Sequence, residues 1–441
     1  MTDTTPLHDL TATEAVGLLR RRALSATELV DALLARVEAT ESELHAWVLV
    51  DAEGARRQAA ELDRRAAATT TGLPPLHGLP IGVKDIIDVE GLPTRAGFEP
   101  FAERTAARDA AVVEALRGAG AIVLGKTETT QFAVRDPAPT RSPWHPARTP
   151  GGSSAGSGAS VAARQVPAAL GSQTSGSTLR PAAYNGIVGW KPTFGWVSTL
   201  GVLPLCWTLD HVGLLARRVP DVELLWRAAA RNAGRAPRAQ HTAPRLGLVR
   251  AALEASTPEL AAHLRDVAAR LEREGAAVRE VDFPLALAQS VQQVTMLVET
   301  AAAHHHLLRR HPDAYGPLLR AYIEAGEQVP GWAYVHAQRL RRRLAAEVAA
   351  AGDGLDAFLL PTAPAPPPGR ESTGDASLLA PFTLLGRPAI SLPSGLDADG
   401  LPIGVQLAGH RDRDADLLAT AAWCEERLGW HAAPPEPCPP I

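Results

Sequence analysis

Hydrophobic positions recur every three to four residues over 12–21 and 26–39, which predicts two amphipathic helices, with Ser25 as the N-cap of the second. A charged, alanine-rich run over 51–67 predicts a third helix, closed by the polar break TTTGLPP. Short apolar runs then predict strands at LPIGVKDIIDV (79–89), AIVLGKT (121–127) and GIVGWKP (186–192). Helical periodicity at 109–119, between the first two, completes a βαβ unit. Apolar runs at 246–250, 355–360, 388–393 and 402–408 alternate with helical segments at 258–274, 290–310, 332–350 and 414–428. Alternation of this kind predicts an α/β fold with a largely parallel sheet and helices on both faces. Binding residues are then expected on loops at one edge of the sheet. The stretch PTAPAPPPGR (361–370) reads as a loop, and the PPEPCPP tail as a frayed end. No internal repeat is visible.

Composition sharpens this picture in two ways. A chain of 441 residues, 46% hydrophobic and 21% charged, can bury a large core. Its net charge of −4 leaves no basic footprint for nucleic acid, and no apolar run reaches the length of a membrane span. The start, MTDTTPLHDL, has neither a basic nor an apolar leader segment, so the expected setting is cytoplasmic. Cys206, Cys424 and Cys438 are scattered, without metal-site or disulfide spacing. The second point concerns the cations. Only Lys84, Lys126 and Lys191 among the 44 basic residues are lysines. An amine can lose its proton at working pH and a guanidinium cannot, so a lysine kept in an arginine-dominated chain is a candidate for proton chemistry.

Two Gly/Ser-rich loops carry the chemistry. GSQTSGSTLRP (171–181) looks shaped to present the hydroxyl of Ser177, yet no histidine lies within thirty residues of it. PGGSSAGSGAS (150–160) leads into an alanine-rich helix predicted at 159–164 and holds Ser153 beside two glycines. Read alone, either loop could be a plain connector. Their order and spacing after G-V-K-D at Lys84 are more specific: G-G-S-S, then G-S-x-T-x-G-S. With GKT (125–127), VGWKPTFG (188–195), LDHVG (209–213), GRPAISLPSG (386–395) and LPIGVQLAG (401–409), the chain resembles the amidase signature family over most of its length.

The resemblance implies the amidase-signature fold, a three-layer α/β/α arrangement around a large central mixed, mostly parallel sheet. It implies one amidase domain over 1–441: a helical segment at 1–75, the signature core at 76–215, and the remaining sheet and covering helices at 216–441. It assigns Ser177 as nucleophile, Ser153 as a bridging serine on a cis peptide, and Lys84 as terminal base. Such a relay is chemically sound, since a hydroxyl donates one hydrogen bond while accepting another, and burial favours the neutral amine. The resemblance places the oxyanion on the amides of Thr174, Ser175 and Gly176, with Ser177 as a possible fourth donor. Gly176 is expected to allow close backbone approach or a positive φ. Where family members often have an Asp–Arg ion pair, this chain has Gln173 and Leu179, with Arg180 one position on. Gln173 is then expected to hold the loop by amide hydrogen bonds. Ser175 and Ala155 stand where glycine is common. These departures point away from the transamidating subunit that makes glutaminyl- or asparaginyl-tRNA.

Phe132, Ser154 and Trp207 fall near the catalytic loops and are candidate substrate-binding residues, with Trp144 a further aromatic there. His304–His305–His306 looks metal-binding, but successive helical residues point about 100° apart and do not converge on one ion. Asp210 and His211 suggest a Ser/His/Asp triad, but the order and spacing of the three residues do not fit an α/β-hydrolase. The expectation is a hydrolase of amide, anilide or carbamate bonds, with esters within the same reach, through a seryl acyl-enzyme. It needs no metal or cofactor, binds neither nucleic acid nor membrane, and acts on a small molecule as a monomer or homodimer. The alternative is the glutamine-amidohydrolysing subunit of a tRNA-dependent amidotransferase.

Overall fold

The structure, a computed structural model, describes residues 5–69, 72–230 and 243–435. Within them one sheet gathers eleven strands: β1 (Trp47–Val50), β2 (Pro80–Lys84), β3 (Ile122–Thr127), β4 (Ala168–Gln173), β5 (Val188–Lys191), β6 (His211–Ala216), β7 (Arg245–Val249), β8 (Ala277–Val281), β9 (Ala357–Pro361), β10 (Ala389–Leu396) and β11 (Pro402–Ala408). Their order across the sheet is β1-β3-β2-β4-β6-β5-β10-β11-β9-β7-β8.

The expected α/β fold is present, and the sheet is mixed. It is not mostly parallel, however. Strand β2 runs parallel to β3 and β4, and β7 to β8 and β9. The other six neighbour pairs are antiparallel. The sequence pattern missed this because β1, β4, β6 and β8 were not recognised, and adjacent apolar runs were joined as if by helical crossovers. The predicted βαβ unit does form, with helix Ala111–Gly118 linking β2 to its parallel neighbour β3.

Helix ends follow local rules. Ser25 caps helix Ala26–Leu44 by accepting from the Glu28 amide, and the Glu28 carboxylate reaches back to Ser25. Thr11 and Glu14 do the same for helix Ala12–Arg20. The frayed-end expectation for the PPEPCPP tail, together with Cys438, lies largely outside the described residues. No helix among the described residues is long and apolar enough to cross a membrane.

The β2/β4 pairing positions the site. Ile81, Gly82 and Val83 align with Ala168, Ala169 and Leu170, so the two strands end side by side. Lys84 is the last residue of β2 and Ser172 lies near the end of β4. The predicted strand 79–89 stops at Lys84 because the chain turns there, with the Ile87 amide donating back to the Lys84 carbonyl at 2.9 Å. Chemistry collects at this carboxyl edge, as open α/β sheets favour.

Candidate active site

Lys84 is fully buried, and its Nζ donates to Ser153 Oγ at 2.7 Å, Ser172 Oγ at 2.8 Å and Ser154 Oγ at 3.0 Å. Burial drives its pKa well below the usual 10.5; Asp210 partly opposes the shift and Arg180 adds to it. Ser153 follows a cis peptide from Gly152, immediately before helix Ala155–Ala162. Ser153 and Ser177 both line a cavity of about 370 Å³, together with Ser175 and Arg180. The Ser177 hydroxyl makes no hydrogen bond to the described residues, so its link to Ser153 is not closed in this structure.

The turn after β4 is held from several sides. Gln173 Oε1 accepts from the Thr178 and Leu179 amides, each at 3.0 Å, and its Nε2 donates to Thr383 Oγ1 at 3.0 Å. Gln173 thus holds the loop through its amide, and Arg180 does not pair with it. Arg180 instead donates to the carbonyls of Gly152 (2.6 Å) and Gly374 (2.5 Å) and to Thr373 Oγ1 (3.1 Å). That ties the serine turn to the opposite cavity wall. Thr174 Oγ1 donates to Asp210 Oδ1 at 2.6 Å, and Asp210 Oδ2 accepts from the Leu205 and Cys206 amides. Burial pushes the Asp210 carboxyl up to about 6.

The Ser175, Gly176 and Ser177 amides donate to no acceptor among the described residues, which leaves them available to a ligand. Gly176 is required for close approach: a Cβ there would lie 2.5 Å from Leu379 Cδ1. Its φ is not positive. Gly151 has φ +77, and a Cβ there would lie 3.0 Å from Pro181 Cα.

The structure brings together Lys84, Ser153, Ser177 and the turn 174–176. It does not bring the three expected substrate-binding side chains to the cavity wall. Ser154 is buried behind the cavity on Lys84 and Ser172. Phe132 points into an aromatic cluster with Phe98, His304 and Tyr315; its ring lies 4.6 Å from that of His304. Trp207 is 54% exposed and outside the cavity lining. A residue type marks an aromatic as apolar but does not say which way it faces.

The histidine run diverges. His304 is buried against Tyr315, His305 meets Glu327, and His306 is exposed. No cluster of three or more His, Cys, Asp or Glu suited to a metal occurs among the described residues. His211 is buried in β6 with Nδ1 2.5 Å from the Leu209 carbonyl, and Asp210 serves Thr174, so no Ser/His/Asp triad forms. Ser172 was missed from the sequence although it lies inside the loop stretch. Recognising β4 as a strand was the signal needed.

A family model described as Amidase matches residues 28–418. A glutamyl-tRNA(Gln) amidotransferase chain of Roseiflexus castenholzii is 33% identical over 486 residues, covering 98% of this chain and 98% of the relative. A crystal structure of an amidase superposes with a TM-score of 0.88 at 33% identity, covering 95% of this chain and 100% of that one. The native peptide amidase from Stenotrophomonas maltophilia gives a TM-score of 0.84 at 26% identity, covering 97% and 99%.

Proposed function

The chain belongs to the amidase family and is an amidohydrolase that cleaves carbon–nitrogen amide bonds, and on that footing we propose that it works through an acyl-enzyme on Ser177, with Ser153 and Lys84 as proton relay. The supporting observation is the buried, charge-depleted Lys84 amine on Ser153, whose hydroxyl shares a cavity with Ser177.

In this reading Ser177 Oγ attacks the substrate carbonyl carbon as its proton moves to Ser153 Oγ and the Ser153 proton moves to neutral Lys84 Nζ. The carbonyl oxygen becomes an oxyanion facing the amides of Thr174, Ser175, Gly176 and Ser177, with the Thr174 hydroxyl anchoring the turn on Asp210. Collapse of the tetrahedral species breaks the C–N bond. The departing nitrogen takes the proton returned from Lys84 through Ser153. Water then attacks the acyl-enzyme with the same relay as base, releasing the acid and restoring Ser177. Carbamates, anilides and esters present the same carbonyl geometry and fall within this reach.

A cavity of about 370 Å³ suits a small molecule. The amidotransferase relatives favour a second reading, ammonia production from glutamine inside a complex. Gln173, Leu179, Ser175 and Ala155, all departures from the common family pattern, weigh against it. The test is labelling of the purified chain with a sulfonyl fluoride, followed by peptide mapping, alongside assays on simple amides and anilides. The adduct is expected on Ser177 with turnover by the isolated chain. An adduct on Ser153 overturns the assignment, and turnover only with partner subunits favours the second reading.

A further inference from the structure

Arg135 lines the active-site cavity, is exposed, and has no carboxylate partner among the described residues. Its guanidinium carbon lies 5.0 Å from the ring centroid of Tyr322, which lines the same cavity. The guanidinium also hydrogen-bonds the Tyr322 hydroxyl, and the rest of its five N–H donors stay available to a ligand. The other charges on this wall are a cation already in use and one exposed carboxylate, Asp375. Arg180 is used on Gly152, Thr373 and Gly374. Asp375 Oδ1 accepts from the Ser377 amide at 2.6 Å.

The backbone beneath Arg135 is built and strained. Phe132, Ala133 and Arg135 have φ of +47, +64 and +43, a region costly for residues with a side chain. Contacts on both sides hold the turn against the helix that carries Tyr322. Gln131 Oε1 accepts from the Gly316 amide at 2.8 Å, and Asp136 accepts from the Leu318 and Leu319 amides at 3.1 and 2.8 Å. Surface placement of an arginine needs none of this.

We infer that Arg135 binds a carboxylate on the substrate, so that the preferred amides carry an acidic group away from the scissile bond. The inference rests on the amide-hydrolase reading for which bond is broken, and it adds the charge of the substrate. A guanidinium offers a carboxylate two parallel N–H bonds and stays protonated throughout the working pH range.

The experiment uses three amides of equal length ending in a carboxylate, a primary alcohol or an ammonium. Relative kcat/KM is measured for the wild type, Arg135→Gln, Arg135→Lys and Arg135→Glu. Affinities of the same three compounds for a Ser177→Ala protein are measured by calorimetry, with and without Arg135→Gln. The wild type is expected to favour the carboxylate over the alcohol by about 10- to 100-fold, as charge-assisted hydrogen bonds do. Arg135→Gln should bring that ratio close to one, Arg135→Lys should keep part of it, and Arg135→Glu should turn the preference towards the ammonium. Equal wild-type affinity for carboxylate and alcohol overturns the inference, as does a preference that survives Arg135→Gln. A carboxylate preference in binding with no turnover of any amide counts against the hydrolase reading and leaves this one standing.

Discussion

Lys84, Lys126 and Lys191 are all buried, and their partners separate their roles. Lys126 has the Asp85 carboxylate at 2.8 Å, the Pro93 carbonyl at 2.9 Å and Thr94 Oγ1 at 3.0 Å, and the carboxylate suits a permanent ammonium. Lys191 donates to the carbonyls of Pro192 and Arg387, which accept but never donate. Lys84 meets three hydroxyls, and only these can accept from an ammonium and then donate to a neutral amine. If Lys84 is the base, Lys84→Arg should lose activity as fully as Lys84→Ala, by about 10²- to 10⁴-fold in kcat. The wild-type rate should also rise with pH through the depressed amine pKa and then level off. Initial rates on one amide across the pH range, with melting curves to confirm folding, check both. An arginine variant keeping a large share of kcat would make Lys84 an electrostatic anchor instead. Lys84, Ser153 and Ser177 could be singled out through the resemblance, by the order and spacing of G-V-K-D, G-G-S-S and G-S-x-T-x-G-S. Arg135 could not, since an arginine among so many carries no signal until its surroundings are seen.

The turn 174–177 depends on elements that sequence periodicity does not reveal. Strand β4 reads AALGSQ and is buried throughout, so it shows no alternation of apolar and polar residues. Strand β8 is largely exposed at the sheet edge and was equally hidden. The long helices were legible because each buries one face, against the sheet or a neighbouring helix; Asp414–Leu428 runs over the predicted residues. At the end of β4, before the short helix Leu179–Tyr184, Gln173 satisfies the Thr178 and Leu179 amides, which would otherwise be buried without partners, and donates to the Thr383 hydroxyl. Gln173→Leu should therefore cost about 1–3 kcal/mol of stability, the usual penalty for stranding buried polar groups. It should also lower kcat more than it raises KM, because the loosened turn holds the oxyanion donors. Denaturant midpoints and steady-state kinetics on one amide test this. An unchanged midpoint would mean that the loop is held from elsewhere, through Arg180 or Thr174.

Across the whole molecule, burial of so few amines shapes the dependence of stability on pH. The folded chain holds the Lys191 proton only up to about pH 7, and Lys84 is also driven well below 10.5. An unfolded lysine keeps its proton to about pH 10.4. From pH 7 upward the unfolded state thus binds more protons than the folded one, and stability rises with pH. A fully differential amine contributes about 1.4 kcal/mol per pH unit. Below pH 7 the signs are mixed. Asp210 and Asp414, raised to about 6, and Glu128, raised to about 7, lose stability as pH climbs, while His304, depressed to about 4, gains it. At the alkaline end the buried thiols intervene, because burial holds the protons of Cys206 and Cys424 beyond the ordinary thiol range, about 8.5. Glu128 still titrates near pH 7, so the window in which the amines dominate is about pH 7.5 to 8.5. Urea midpoints should increase across it, and Lys191→Met should flatten the increase by removing one of the two most strongly shifted amines. A slope indifferent to Lys191→Met would mean that Lys191 remains charged in the folded chain, and a midpoint that falls across the window would mean that Lys84 does as well. A charged Lys84 would also be unable to accept the Ser153 proton, so this stability measurement bears on the relay without using any substrate.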